Sequence, residues 1–182
     1  ASEIVHVLHS DACVLGAGEP AIAGNLYAHI FILPLTQEHL ELPIVALEFL
    51  GGIFNVLLFG AMCVGLTTLL VLDALVVPTV MAGKASSPIM QYLHALLLGL
   101  EEYRILAPTL FVSHENGPYN PIADAASRTK TAELNALMQH MGLKAQMVNV
   151  TPQMEKIMSD TVAMWRSMGA PARAEAAAES EA

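Results

Sequence analysis

From residue 43 to residue 82 the chain is almost unbroken apolar sequence, and no other feature limits its fold so tightly. Only Glu48, Asn55, Thr67, Thr68, Asp73 and Thr79 interrupt the run. A helix that is apolar on every side must be buried, in lipid or in a large core. About 20 apolar residues suffice to cross a bilayer, so a small integral membrane subunit with one or two spans within 43–82 is one reading. Three features oppose it. Asp73 and Asn55 would lie deep in the stretch, where a carboxylate costs about 2.5–3.5 kcal/mol. No Lys or Arg precedes Lys84, which leaves no basic flank to orient a hairpin. Gly51, Gly52, Gly60 and Gly65 suit close helix approach inside a protein equally well. The core of a homodimer is the preferred destination.

Composition points the same way. Of 182 residues, 54% are hydrophobic and 14% charged, and the mean hydropathy is +0.52. A soluble monomer rarely hides so much apolar side chain, because its surface needs polar cover; a second subunit would take the surplus. A net charge of −9 without any basic cluster argues against nucleic acid as a partner, since phosphate recognition needs Lys and Arg on one face. Cys13 and Cys63 follow no metal or redox spacing. With no basic, signal-like N-terminal segment either, the cytoplasm is the expected location.

Along the chain, residues 1–35 read as strands and turns, with alternation at 4–8 and a β-rich run at 27–35. A helix is expected from about residue 37, with Thr36 at its cap, ending at the Gly51–Gly52 break. A long helix then covers about 53–77. Ser86, Ser87 and Pro88 open the next, running to about 106. His114 to Pro121 is a turn-rich loop, and helices follow at about 122–141 and 152–168. The tail from 170 to 182 is low in complexity and expected to be disordered.

The residues DACVLGAGEPAIAGNLYAHIFILPLTQEHLELPIVALEFLG, from Asp11 to Gly51, carry a specific pattern. It is an Asp-x-x-Val strand, a Gly-containing loop, an Ala-x-x-Gly-x-Leu strand and a helix ending in Leu-Gly. Asp11, Val14, Gly16, Ala21, Gly24, Leu26, Pro43, Leu50 and Gly51 hold its places. This resembles the last part of the Rossmann domain of β-hydroxyacid dehydrogenases and imine reductases, of the 6-phosphogluconate dehydrogenase-like type. GGIFNVLLFGAMCVGLTTLLVLDAL looks like the interdomain helix of imine reductases, and the stretch from Gly117 to Pro152 resembles their C-terminal bundle.

The resemblance implies a mainly α fold. A long apolar interdomain helix and a helical bundle would form an intertwined dimer, preceded by a short β-rich remnant of a Rossmann-type domain. Residues 1–50 would be the C-terminal part of that nucleotide-binding domain, 51–169 the dimerisation and substrate domain, and 170–182 the tail. Leu15 stands where hydroxyacid dehydrogenases carry Ser, and their catalytic Lys is missing, which favours the imine-reductase branch. The implied function is the dimerisation and substrate-binding half of an NADPH-dependent oxidoreductase, reducing an imine formed from a carbonyl and an amine. Asn55 and Cys63 would face the catalytic cleft, and Val14, Leu15 and Gly16 would touch the cofactor. NADPH would bind only with an upstream nucleotide-binding domain, because Gly-x-Gly-x-x-Gly is absent. A non-catalytic helical interaction module is the remaining alternative.

Seven histidines suggest metal, but a four-helix di-iron site needs two Glu-x-x-His pairs and the chain has one, Glu3 to His6. No metal site is expected. The methionines from Met138 to Met168 read as adaptable core filling, Trp165 as an anchor between helices, and Glu101–Glu102 as a solvated helix face.

Overall fold

Alternating apolar residues at the start of the chain form strands, as their period requires. His6–Cys13 (β1), Ala21–Leu26 (β2) and His29–Pro34 (β3) make an antiparallel meander. Thr68–Leu72 (β4) lies parallel to β1, and Leu110–His114 (β5) parallel to β4. Gln146–Met147 (β6) adds two residues parallel to β3. The sheet order is β5-β4-β1-β2-β3-β6. The computed structural model describes residues 5–14, 18–72, 76–84, 86–114 and 121–181, and these statements concern them.

Helices cover both faces of the sheet. Ile44–Phe59 (α1) packs on one face, against β1 and β2. Phe31, Leu33, Leu8, Leu70 and Leu72 meet it in the main core. On its outer side lie Pro88–Gly99 (α3) and Ala170–Glu181 (α8), with Pro152–Ser167 (α7) against α3. Val76–Met81 (α2) and Glu101–Leu106 (α4) link the crossovers between β4 and β5. The opposite face carries Pro121–Ser127 (α5) and Thr131–His140 (α6). There Ala23 and Ile30 join Ile122, Ala125, Ala126, Leu134 and Met138 in a second core. Neighbours in sequence such as Ile22 and Ala23 therefore serve different cores, as the pleat dictates.

The mainly α, intertwined-bundle expectation is overturned by this mixed sheet with helices on both faces. No long interdomain helix runs from 53 to 77. The helix starts at Ile44, passes through Gly51 and Gly52, and ends at Phe59. After a 3-10 turn at Gly60–Cys63, Gly65 takes a positive φ of 75° and the chain enters β4. A parallel strand buried on both faces is a continuous apolar run, which periodicity cannot tell from a buried helix. Gly51 and Gly52 serve close approach instead of a break. A Cβ on Gly51 would stand 3.1 Å from the Ser10 Cβ, and one on Gly52 3.3 Å from a Leu72 methyl.

Thirteen of the sixteen α1 residues are buried within this single chain. The segment Ile44–Cys63 is long and apolar enough to cross a membrane, yet 78% of an 18-residue stretch within it, of mean hydropathy 2.0, is buried in the protein. One chain thus buries most of its own oily helix. The tail expected to be disordered is α8, with Ala176 fully buried. Its Ser180 hydroxyl and Glu179 carboxylate accept from the backbone N–H groups of Val45 (3.5 Å) and Ser87 (3.2 Å). Pro88 at the start of α3 follows the expected signal, and Thr151 caps α7 by accepting from the Met154 N–H at 3.2 Å.

Candidate functional site

In open α/β sheets, ligands bind beyond the carboxyl ends of the parallel strands. Here β1, β4 and β5 run parallel and end on one edge, at Cys13, Leu72 and His114. Two buried carboxylates flank β1 near that edge, one from each face of the sheet. Asp11, third from the end of β1, is 4% exposed, and Glu48 on α1 is 5% exposed. Asp and Glu are almost never so buried without partners or a task. Ser127 on α5 divides its hydroxyl between Asp11 Oδ2 (2.8 Å) and the Asp124 carbonyl (2.9 Å). From the other face, Glu48 Oε1 accepts the backbone N–H of Ala12 at 3.3 Å. The strand thus presents one carboxylate and receives another at consecutive residues. Asp73 follows Leu72 in sequence and lies outside the described residues.

A cation stands close by. Arg128 Nε donates to Asp124 Oδ1 at 3.0 Å. That hydrogen bond first, then the charges of Asp124, Cys13 and Asp11, hold the guanidinium above its ordinary range. Its side chain is 42% exposed, so it faces both the carboxylate site and solvent.

The expected site residues lie elsewhere. Asn55 is fully buried in α1 beneath β1, its amide donating to the His9 carbonyl at 2.8 Å. It sits where Gly24 lacks a side chain: a Cβ there would come within 2.7 Å of Asn55 Oδ1. Cys63 is fully buried after the end of α1. Burial pushes its thiol pKa up, against a smaller lowering by a hydrogen bond with the Thr68 side chain, so it stays protonated at neutral pH. No interaction described joins Asn55 to Cys63. Val14 is half-buried against the main core, and Leu15 and Gly16 lie outside the described residues. Among the described residues no three His, Cys, Asp or Glu side chains group as a metal cage.

Sequence reasoning passed over Asp11 and Glu48, treating one as a pattern position and the other as an interruption. The usable signal was a lone carboxylate inside each of two apolar elements. Compared with known proteins, the chain matches no family model, no curated protein and no solved structure.

Proposed function

We propose that this chain is a divalent-cation-dependent phosphodiesterase that cuts a nucleic-acid backbone at the carboxyl ends of β1 and β4. The observation that carries the reading is that two buried carboxylates, Asp11 and Glu48, are held at consecutive residues of β1 near that edge. Both are hard oxygen donors, the ligand type that suits Mg²⁺ or Mn²⁺ and not a softer metal. Mg²⁺ is characteristically held by one or two carboxylates plus substrate phosphate and water, not by a full protein cage, so two carboxylates are enough. The order β5-β4-β1-β2-β3, antiparallel through β1, β2 and β3 and parallel through β1, β4 and β5, brings the carboxyl ends of β1, β4 and β5 to one edge of the sheet.

Asp11 and Glu48 would hold the cation, which when bound supplies Lewis acidity and an acidified water. Ser127 and the Ala12 N–H orient the two carboxylates. Water attacks phosphorus and releases a proton to solvent, the bridging P–O bond breaks, and the leaving oxygen takes up a proton from solvent. Arg128 stands ready to meet a non-bridging phosphate oxygen. This reading sets aside the expectation that an acidic chain avoids nucleic acid, because bound divalent ions are the largest local charges in such a site. The imine-reductase reading rests on resemblance, and the two residues it assigns to catalysis are both fully buried.

The test uses the purified chain with labelled RNA, DNA and RNA–DNA hybrid, in Mg²⁺, in Mn²⁺ and in chelator. Cleavage is expected only with the cation, reduced at least about 100-fold in Asp11→Asn and Glu48→Gln, on the scale of losing one electrostatic catalytic group. The cation should also raise the melting temperature of the native chain, by linkage of binding to folding, and not that of Asp11→Asn. No cleavage together with no cation-induced stabilisation would remove the proposal.

A further inference from the structure

Residues of one parity along β1 place a second feature beside Asp11. Two and four residues earlier, on the same side of the strand, His9 and Val7 line a cleft of about 270 Å³. Asn25, Tyr27, Pro121, Ile122 and Met141 form the rest of its lining. Two residues of extended strand span about 7 Å, so the cleft opens next to Asp11. Its volume lies below that of pockets for drug-sized ligands and suits a single ring system.

Two details of the cleft point to a planar, hydrogen-bonding occupant. Asn25 is 3% exposed, and its amide nitrogen donates to the Tyr27 carbonyl at 3.1 Å. That bond fixes which way round the amide lies, and its Oδ1 is buried without a donor among the described residues. A buried acceptor left without a donor costs free energy and calls for an explanation. Tyr27 sits at the tip of the β2–β3 hairpin with φ 51°, a conformation that is a true outlier for a bulky residue and that clusters at ligand-holding positions. The turn holds its ring 48% exposed, edge-on to His6 with centroids 5.6 Å apart.

We infer that this cleft takes one nucleobase of the strand being cut, stacked on the exposed Tyr27 ring with its edge beside Asn25. The inference rests on the phosphodiesterase reading and adds to it that the base must be unpaired or splayed out of its helix. Base–aromatic stacking tolerates any sequence and contributes about 1–3 kcal/mol per base, roughly a 5- to 150-fold change in affinity. Neither Asn25 nor Tyr27 belongs to the carboxylate machinery, so their substitution should weaken binding and leave the cutting step intact.

The experiment measures anisotropy of a labelled single-stranded oligonucleotide bound to Asp11→Asn protein in Mg²⁺, with and without Tyr27→Ala or Tyr27→Phe. A base-free sugar-phosphate oligomer of equal length is the control, and circular dichroism melting checks that each variant is folded. Tyr27→Ala should weaken binding at least 5-fold, Tyr27→Phe less than 2-fold, and neither should change binding of the base-free oligomer. In the cleaving protein, Tyr27→Ala should raise KM and leave kcat unchanged. Equal binding by Tyr27→Ala and its parent, or an equal loss on the base-free oligomer, overturns the base site even where cation-dependent cleavage persists. Base-dependent binding that Tyr27→Ala weakens, with no cleavage under any cation, would keep the cleft and sink the catalytic reading.

Discussion

Ser127 illustrates how much one hydroxyl can do at a buried carboxylate. It is fully buried and donates to Asp11 at 2.8 Å, and hydrogen bonds to charged groups contribute about 1.5–3 kcal/mol. Ser127→Ala should therefore lower stability by about 2 kcal/mol, several degrees in melting temperature for a domain of this size. It should also lower cation affinity, because the Asp11 carboxylate loses the bond that orients it. A melting curve unchanged from the native protein would show that the bond contributes nothing. His39 gives a second residue-scale test. The Thr36 N–H donates to its Nδ1 at 3.0 Å, and the His39 N–H returns a bond to Thr36 Oγ1 at 3.3 Å. Nδ1 must be unprotonated to accept, so the ring is neutral. Burial, opposed by the charges of Glu155 and Glu38, pushes its pKa below the ordinary value of 6.5. The unfolded chain then binds the proton more readily than the folded one. This contribution is complete above about pH 6.5 and is lost as pH falls through the lower folded pKa. His39→Asn keeps an acceptor for Thr36 and removes the titration, so its melting temperature should decline less between pH 7.5 and 5. Parallel declines would refute the assignment. Glu41, held low chiefly by its hydrogen bond with Arg166, acts in the same direction but only in the more acidic carboxylate range.

Among the elements, legibility followed periodicity. The first strands lie within the stretch read as strands and turns, and α3 opens at Pro88 as its signal predicts. The stretch from Ile44 to Leu72 was opaque because a buried helix and a strand buried on both faces are equally apolar. Asp11 and Glu48 were opaque as a pair for a related reason. They are 37 positions apart in the chain, and only the packing of α1 across β1 brings them to consecutive backbone positions. That packing depends on small residues where helix and sheet touch. A Cβ at Gly24 on β2 would stand 2.5 Å from the Phe31 ring, 2.7 Å from Asn55 Oδ1 and 2.9 Å from the His9 carbonyl. None of these can give way without shifting a strand or α1, so Gly24→Ala should cost about 1–3 kcal/mol, the range for overpacking. Since His9 and Asp11 share a strand, cation-induced stabilisation should fall with it. Denaturant unfolding with an unchanged m-value and a lower midpoint is the expected reading; an unchanged midpoint would show that the interface tolerates a methyl.

At the scale of the whole molecule, the sheet separates two jobs. The α5 face and the carboxyl edge of β1 carry the proposed chemistry, while α3, α7 and α8 lie on the far side of α1 and close the main core. The last of these is the most informative to remove. Ala176 is fully buried in that core, Arg173 lies over the Trp165 ring at 5.2 Å and donates to the Trp165 carbonyl at 3.3 Å, and Glu179 and Ser180 reach the starts of α3 and α1. A chain ending at Gly169 loses all of these together and leaves part of the apolar surface of α1 and Trp165 in water. At about 25 cal/mol per Å² of apolar area, exposing even a hundred or so Å² costs a few kcal/mol, a large share of the stability of an ordinary domain. The truncated chain should therefore melt well below the full one and bind a hydrophobic dye more strongly. Its remaining folded fraction should still gain stability from Mg²⁺, because Asp11, Glu48 and Ser127 keep their partners on the other elements. An equal melting temperature would mean that α8 rests on the core without supporting it, and loss of the Mg²⁺ effect in protein that is still folded would mean that the two faces of the sheet are coupled.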